Sequence, residues 1–111
     1  MSASAVPTPG LLEVVLESGS LAAAMGAMRE RVFGEEKELS APVRELLVVA
    51  LDLALRNGAG AALHAQRAIE VGASPAMVRE VLELCLYVCG PTALASVDAG
   101  TAAAIRGVLE G

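Results

Sequence analysis

Apolar residues recur at intervals of three and four along most of the chain, and no segment alternates apolar and polar residues as a half-buried strand does. The breaks fall at glycine and proline, and serine often stands where it can cap the next helix. The pattern predicts helices over 11–17, 21–33 (capped by Ser20), 41–55 (capped by Ser40), 59–71, 76–89 (after Ser74 and Pro75) and 92–109. We therefore expect an all-α fold, a bundle of about six helices.

The third predicted helix is apolar nearly all round, which is typical of a central helix that is buried on several sides. Hydrophobic residues make up 55% of the 111 residues, and a chain this small leaves much of its surface in water. We expect a single domain over 1–111, with 1–9 as a loose arm and 35–38 as a charged connector. Part of the apolar surface should be covered in a homo-oligomer.

Charge and composition exclude several classes of partner. Eight basic and thirteen acidic residues give a net charge of -5, which argues against binding to nucleic acid or to an anionic membrane. Apolar runs such as Leu46–Leu51 are far shorter than the roughly 20 residues of a membrane span. The N-terminus lacks the pattern of a signal peptide, so we expect a cytoplasmic protein.

Two cysteines and one histidine limit the redox and metal chemistry open to this chain. Cys85 and Cys89 are four residues apart, which is not a C-x-x-C motif, and both are interpreted as small core residues. No second histidine, cysteine or carboxylate stands at ligand spacing from the single His64. The sequence therefore predicts no metal site.

Glu45 and His64 are the polar residues that fit a purely structural role least well. Glu45 lies in the apolar third helix, where a buried carboxylate must be paired, protonated or at a cleft. The alternative is a first-turn acid that suits the helix dipole. His64 follows the small residues 58–62, which permit close approach of a ligand, although a lone helical histidine can be a hydrogen-bonded structural residue. For Asp52 and Arg56, one turn apart, an ion pair is expected.

Several blocks of sequence carry a family resemblance. They are Leu39–Ala50 (LSAPVRELLVVA), Asn57, His64–Ala68 (HAQRA), Gly72–Pro75 (GASP), Val78–Val81 (VREV) and Tyr87–Pro91 with Ala93. Their order and spacing resemble the carboxymuconolactone decarboxylase family of the AhpD-like superfamily, over about half of the chain. The resemblance implies an AhpD-like helical bundle that needs no cofactor and assembles as trimers or hexamers.

The resemblance also separates two branches of the superfamily. In the peroxidase branch, a Glu is followed by C-x-x-C and then by a His, and the interval between Glu and His matches Glu45 and His64. The two cysteine positions fall on Asn57 and Gly60, so disulfide-forming peroxidase chemistry is excluded. The pattern is that of the decarboxylase branch, with departures that leave the exact reaction open. Gln66 stands where an Arg is usual, and a glycine that usually follows the tyrosine is displaced to Gly90.

The function implied is a cofactor-free decarboxylation of a carboxylated lactone, such as γ-carboxymuconolactone from aromatic catabolism. His64 would be the general acid and Glu45 would orient it or share its proton. Arg67 is the favoured cation for the anionic substrate because it lies three residues beyond His64. Arg44 and Asn57 are further candidate substrate-binding residues. Arg56 is a third possible cation. Two alternatives stay open: a tailoring enzyme of the same fold acting on another carbonyl compound, and a non-catalytic oligomeric binding protein.

Overall fold

The computed structural model describes residues 10–35 and 38–111. Within these ranges all regular structure is α-helical, which confirms the predicted fold class. The helices are α1 (Leu11–Leu16), α2 (Gly19–Phe33), α3 (Ala41–Ala54), α4 (Gly58–Glu70), α5 (Pro75–Cys89), α6 (Pro91–Ala95) and α7 (Ala99–Glu110). None of these described helices has the length and apolarity that a membrane span requires.

The chain divides after Glu35 into two compact units. The first contains α1 and α2, and no residue of either helix is buried, so the apolar face of α2 that includes Met25 and Met28 is exposed. The second contains α3 to α7 and the hydrophobic core. The single domain over 1–111 stays a prediction. The expected arm at 1–9 and residues 36 and 37 of the expected connector lie outside the described residues.

Serine and proline set two of the helix starts as the sequence predicts. Ser40 and Ser74 are the N-caps of α3 and α5, each accepts a hydrogen bond from a backbone N–H three residues on, and a proline lies in each first turn. The prediction for α2 was wrong by two residues. Ser18, not Ser20, occupies its N-cap position.

The core is built on a hairpin of α3 and α4. The buried face of α3 carries Leu46, Val49 and Leu53. The facing side of α4 carries only alanines at its fully buried positions, namely Ala61, Ala65 and Ala68. Because alanine adds little bulk, the two helices approach closely, and the large side chains of α3 fill the space between them. Val78 and Cys85 of α5 and Ile105 of α7 complete this core.

The last predicted helix is wrong, because two helices replace it. α6 ends at Ala95, and Asp98 begins α7 by accepting hydrogen bonds from the Thr101 backbone N–H (2.8 Å) and hydroxyl (3.0 Å). An aspartate that caps a new helix competes with continuation of the old one. Gly100 and Gly107 both lie within α7, beyond the break.

The prediction that α3 is buried on several sides is also wrong for the single chain. Val43, Leu47, Leu51 and Leu55 recur every fourth residue and form the α3 outer face, which is 38–78% exposed. Ala54, on the same side, is exposed too, and the half-buried Arg44, three residues before Leu47, is the charged residue of α3 on this side. The periodicity identifies the apolar positions but does not distinguish burial within the chain from burial against a second molecule.

Candidate functional site

Glu45 and His64 meet across the seam between α3 and α4. The Nδ1 atom of His64 lies 2.9 Å from Oε2 of Glu45, which is a hydrogen bond between residues nineteen positions apart. Only 13% of the His64 side chain and 9% of the Glu45 side chain are exposed. Glu45 is therefore a buried, paired carboxylate and not a solvated acid of the first helical turn.

The turn between α3 and α4 positions the two residues. Arg56 has a left-handed backbone (φ 61°) just after the end of α3. Its N–H donates to the Leu53 carbonyl (3.1 Å), and the Asn57 N–H donates to the Asp52 carbonyl (2.7 Å). This is a Schellman motif, which reverses the chain tightly, although glycine and not arginine is the usual residue at the left-handed position. The tight reversal packs α4 against α3 with His64 opposite Glu45.

Asn57 and Asp52 fasten the start of α4 to α3. Asn57 caps α4 by accepting from the Gly60 N–H (3.4 Å) through Oδ1, and its Nδ2 donates to Oδ1 of Asp52 (3.2 Å). The expected ion pair between Asp52 and Arg56 does not form, because the αL backbone of Arg56 belongs to the turn and Asp52 bonds to Asn57 instead. Sequence reasoning missed this contact, although an asparagine before a helix is itself a capping signal.

Gly60 permits the close approach of these side chains. A Cβ atom at position 60 would lie 2.5 Å from Oδ2 of Asp52 and 2.6 Å from Nδ2 of Asn57. Position 60 is one of the two places that correspond to cysteines in the peroxidase branch. A cysteine here would therefore require the Asp52 or the Asn57 side chain to move.

The candidate cations lie on the two helices that carry the pair. Arg67 is half-buried and lies one turn beyond His64 on α4, and Arg44 is half-buried and directly precedes Glu45 on α3. Asn57 is the N-cap of α4, seven residues before His64. Both polar atoms of its side chain make the contacts described above. The structure thus brings Glu45 and His64 into contact, with one cation on each of their helices.

The arrangement suits acid–base chemistry. A carboxylate that accepts from Nδ1 fixes the orientation of the imidazole. The proton that such an imidazole can exchange with a bound molecule is then carried by Nε2. Among the described residues no group of three potential metal ligands comes together.

The cysteines take no part in this pair. Cys85 is a buried core residue, as predicted, and burial together with the neighbouring Cys89 raises the pKa of its thiol. The prediction that Cys89 is a core residue is wrong, because it is exposed near the end of α5.

Comparison with known proteins supports the same classification. Residues 20–102 match the model of the carboxymuconolactone decarboxylase family. Searches of curated proteins and of solved structures give no match. The matched range covers most of the chain and contains α3, α4 and the pair of Glu45 and His64. The chain therefore belongs to the carboxymuconolactone decarboxylase family.

Proposed function

We propose that this protein is a carboxy-lyase that decarboxylates a carboxylated lactone, such as γ-carboxymuconolactone, without a cofactor. The observation that carries the proposal is the 2.9 Å contact between His64 Nδ1 and Glu45 Oε2 in a largely buried seam. Membership of the family supports the substrate class. A cytoplasmic location, expected from the sequence, is part of the same proposal.

The reaction requires an electron sink, a place for charge and a proton. In such a lactone, the bond between the ring carbon and the carboxyl carbon breaks, carbon dioxide leaves, and the electron pair enters the conjugated carbonyl system as a dienolate. The sink is in the substrate. The protein has to bind the anion away from water, stabilise the dienolate and protonate the correct carbon.

His64 is proposed as the general acid. Its imidazolium delivers the proton from Nε2 to the dienolate carbon, and water restores it afterwards. Glu45 holds Nδ1 and thereby aims Nε2, so it acts as a positioning residue. Histidine suits this task because its ordinary pKa of about 6.5 lies close to neutral pH.

Binding of the anionic substrate is assigned to Arg67 and Arg44. The chain carries a net charge of -5, so a local cation is needed to hold a carboxylate. Arg67 shares a helix face with His64, three residues away, and is the favoured partner. Asn57 serves the site by capping α4, and its direct contact with substrate stays a prediction.

The test is release of carbon dioxide from γ-carboxymuconolactone. We expect His64→Gln to lower turnover by roughly 10²–10⁴-fold, the usual range for loss of a general acid. Glu45→Gln should cause a comparable loss with an altered pH profile, and the double variant should be little worse than either, because the two residues act as one unit. The matched control is Glu70→Gln, which neutralises an exposed acid on α4 and should leave turnover unchanged.

Two results would contradict the proposal. If the wild type releases no carbon dioxide, the substrate class is wrong. If it does, but the two variants retain turnover and only melt at lower temperature, the pair is structural, as in a binding protein of this fold.

We also propose that copies of the chain assemble through the α3 outer face, as a trimer or a hexamer by analogy with the family. Apolar side chains as exposed as Leu51 (60%) and Leu55 (78%) on a mainly apolar helix face are typical of an interface. Sedimentation equilibrium at micromolar concentration should find no 11 kDa monomer in the wild type, and Leu51→Glu should produce one. The control is Ala103→Glu, which introduces the same charge at an exposed position of α7. A monomeric wild type would end this proposal.

A further inference from the structure

A cavity lies apart from the pair of Glu45 and His64. It has a volume of about 350 Å³ and lies among α5, α6 and α7, where it reaches Leu53 at the end of α3. Leu53 is eight residues beyond Glu45, which corresponds to about 12 Å along the helix axis. Neither Glu45 nor His64 lines this cavity.

The lining of the cavity is apolar inside and charged at its edge. Leu53, Leu94 and Ile105 supply apolar surface, and Leu53 is almost fully buried. Arg79 of α5 and Arg106 of α7 line the same cavity, and both residues are exposed. A pocket with an apolar interior and a few convergent polar groups is the usual form of a small-molecule site.

The two arginines give the cavity a positive charge in an acidic chain. Glu110 is the one carboxylate that lines it, so the charges of its lining sum to about one positive unit. Within residues 10–35 and 38–111, neither Arg79 nor Arg106 forms an ion pair. Each guanidinium therefore has donors to offer to an anion, and its planar fork matches a carboxylate.

We propose that this cavity binds a monocarboxylate with an apolar body, such as a medium-chain fatty acid. The carboxylate would lie between Arg79 and Arg106, and the chain would extend over Leu94 and Ile105 towards Leu53. The volume is near the lower end of the range for small-molecule pockets, which fits an acid of about eight to ten carbons. The site is independent of the proposed decarboxylation. Ile105 and Arg106 even lie beyond residues 20–102 that match the family.

Titration calorimetry with decanoate tests the charge requirement. Decanoate should bind, whereas decanol, which has the same body without the charge, and acetate, which has the charge without the body, should bind at least tenfold more weakly. Arg79→Gln and Arg106→Gln should each weaken decanoate binding about fivefold to tenfold, as expected for a charge-assisted contact at an exposed edge. Arg29→Gln removes the same charge from α2 and is the control.

A cavity-filling variant and methyl NMR test the location. Ala102 lines the cavity and is itself exposed, so Ala102→Phe should keep the fold and block binding. Decanoate should shift the methyl signals of Leu94 and Ile105. The proposal is overturned if decanoate fails to bind at millimolar concentration, if decanol binds equally well, or if the shifts appear on Leu47 and Leu51 of the α3 outer face instead.

Discussion

Replacement of Gly60 by alanine tests how rigidly the start of α4 is fastened to α3. The added Cβ would lie 2.5 Å from Asp52 Oδ2 and 2.6 Å from Asn57 Nδ2, both closer than real Cβ contacts allow. One or both side chains must move. Since Asn57 caps α4 and also bonds to Asp52, the movement breaks contacts that hold the helix start.

The expected magnitude follows from three contributions. Loss of the asparagine cap costs about 1 kcal/mol, and loss of the hydrogen bond between Asp52 and Asn57 costs about 1 kcal/mol. The higher helix propensity of alanine returns about 1 kcal/mol. We therefore expect Gly60→Ala to lower the free energy of unfolding by about 1 kcal/mol. At Gly107 of α7 a Cβ meets nothing within 4 Å, so Gly107→Ala should instead raise it by up to about 1 kcal/mol.

Urea unfolding followed by circular dichroism measures both variants, at one fixed protein concentration because an oligomer's stability depends on concentration. The reasoning is refuted if Gly60→Ala is as stable as Gly107→Ala. A double-mutant cycle identifies the contact responsible. In an Asp52→Ala background the cost of Gly60→Ala should shrink, and an unchanged cost would show that Asp52 is not the obstacle.

Three further predictions concern the turn, a helix cap and the thiols. Arg56→Gly should raise the free energy of unfolding by about 0.5–1 kcal/mol in the same assay, because glycine adopts the left-handed backbone without strain; no gain would contradict the turn geometry. The hydrogen bonds from the Thr101 backbone N–H and hydroxyl hold the pKa of Asp98 below its ordinary value, so their stabilising effect is present above a pH of about 4 and is lost as the pH falls through the lowered pKa. The melting temperature should therefore fall less between pH 5 and pH 3 in Asp98→Asn than in the wild type, and equal falls would refute this role. Iodoacetamide should alkylate Cys89 in the native protein and Cys85 only after unfolding, since burial raises the pKa of the Cys85 thiol; mass spectrometry would reveal equal rates if this is wrong.

The parts of the fold that depend on local chemistry could be predicted from the sequence. Ser40 and Ser74, each close to a proline, mark the starts of α3 and α5 because both residues act on their own backbone. The break before α7 has an equally local cause in Asp98, but its signal lies within an alanine-rich stretch that favours helix on both sides. The exposure of the α3 outer face could not be predicted, because the same apolar pattern fits a core and an interface.

In the candidate site, too, the sequence spacing predicts one part of the geometry, and the conformation of the turn determines the other. The interval from Glu45 to His64, on consecutive helices, suffices to suggest that the two side chains meet. The chain reversal at Arg56 determines which face of α4 is directed towards Glu45. An arginine in the sequence does not indicate a left-handed backbone, whereas a glycine often does. The same reversal creates the crowded contact at Gly60. The turn therefore fixes both the helix packing and the direction of the His64 imidazole, so a change there that leaves Glu45 and His64 intact should still alter the pH profile of any reaction they catalyse.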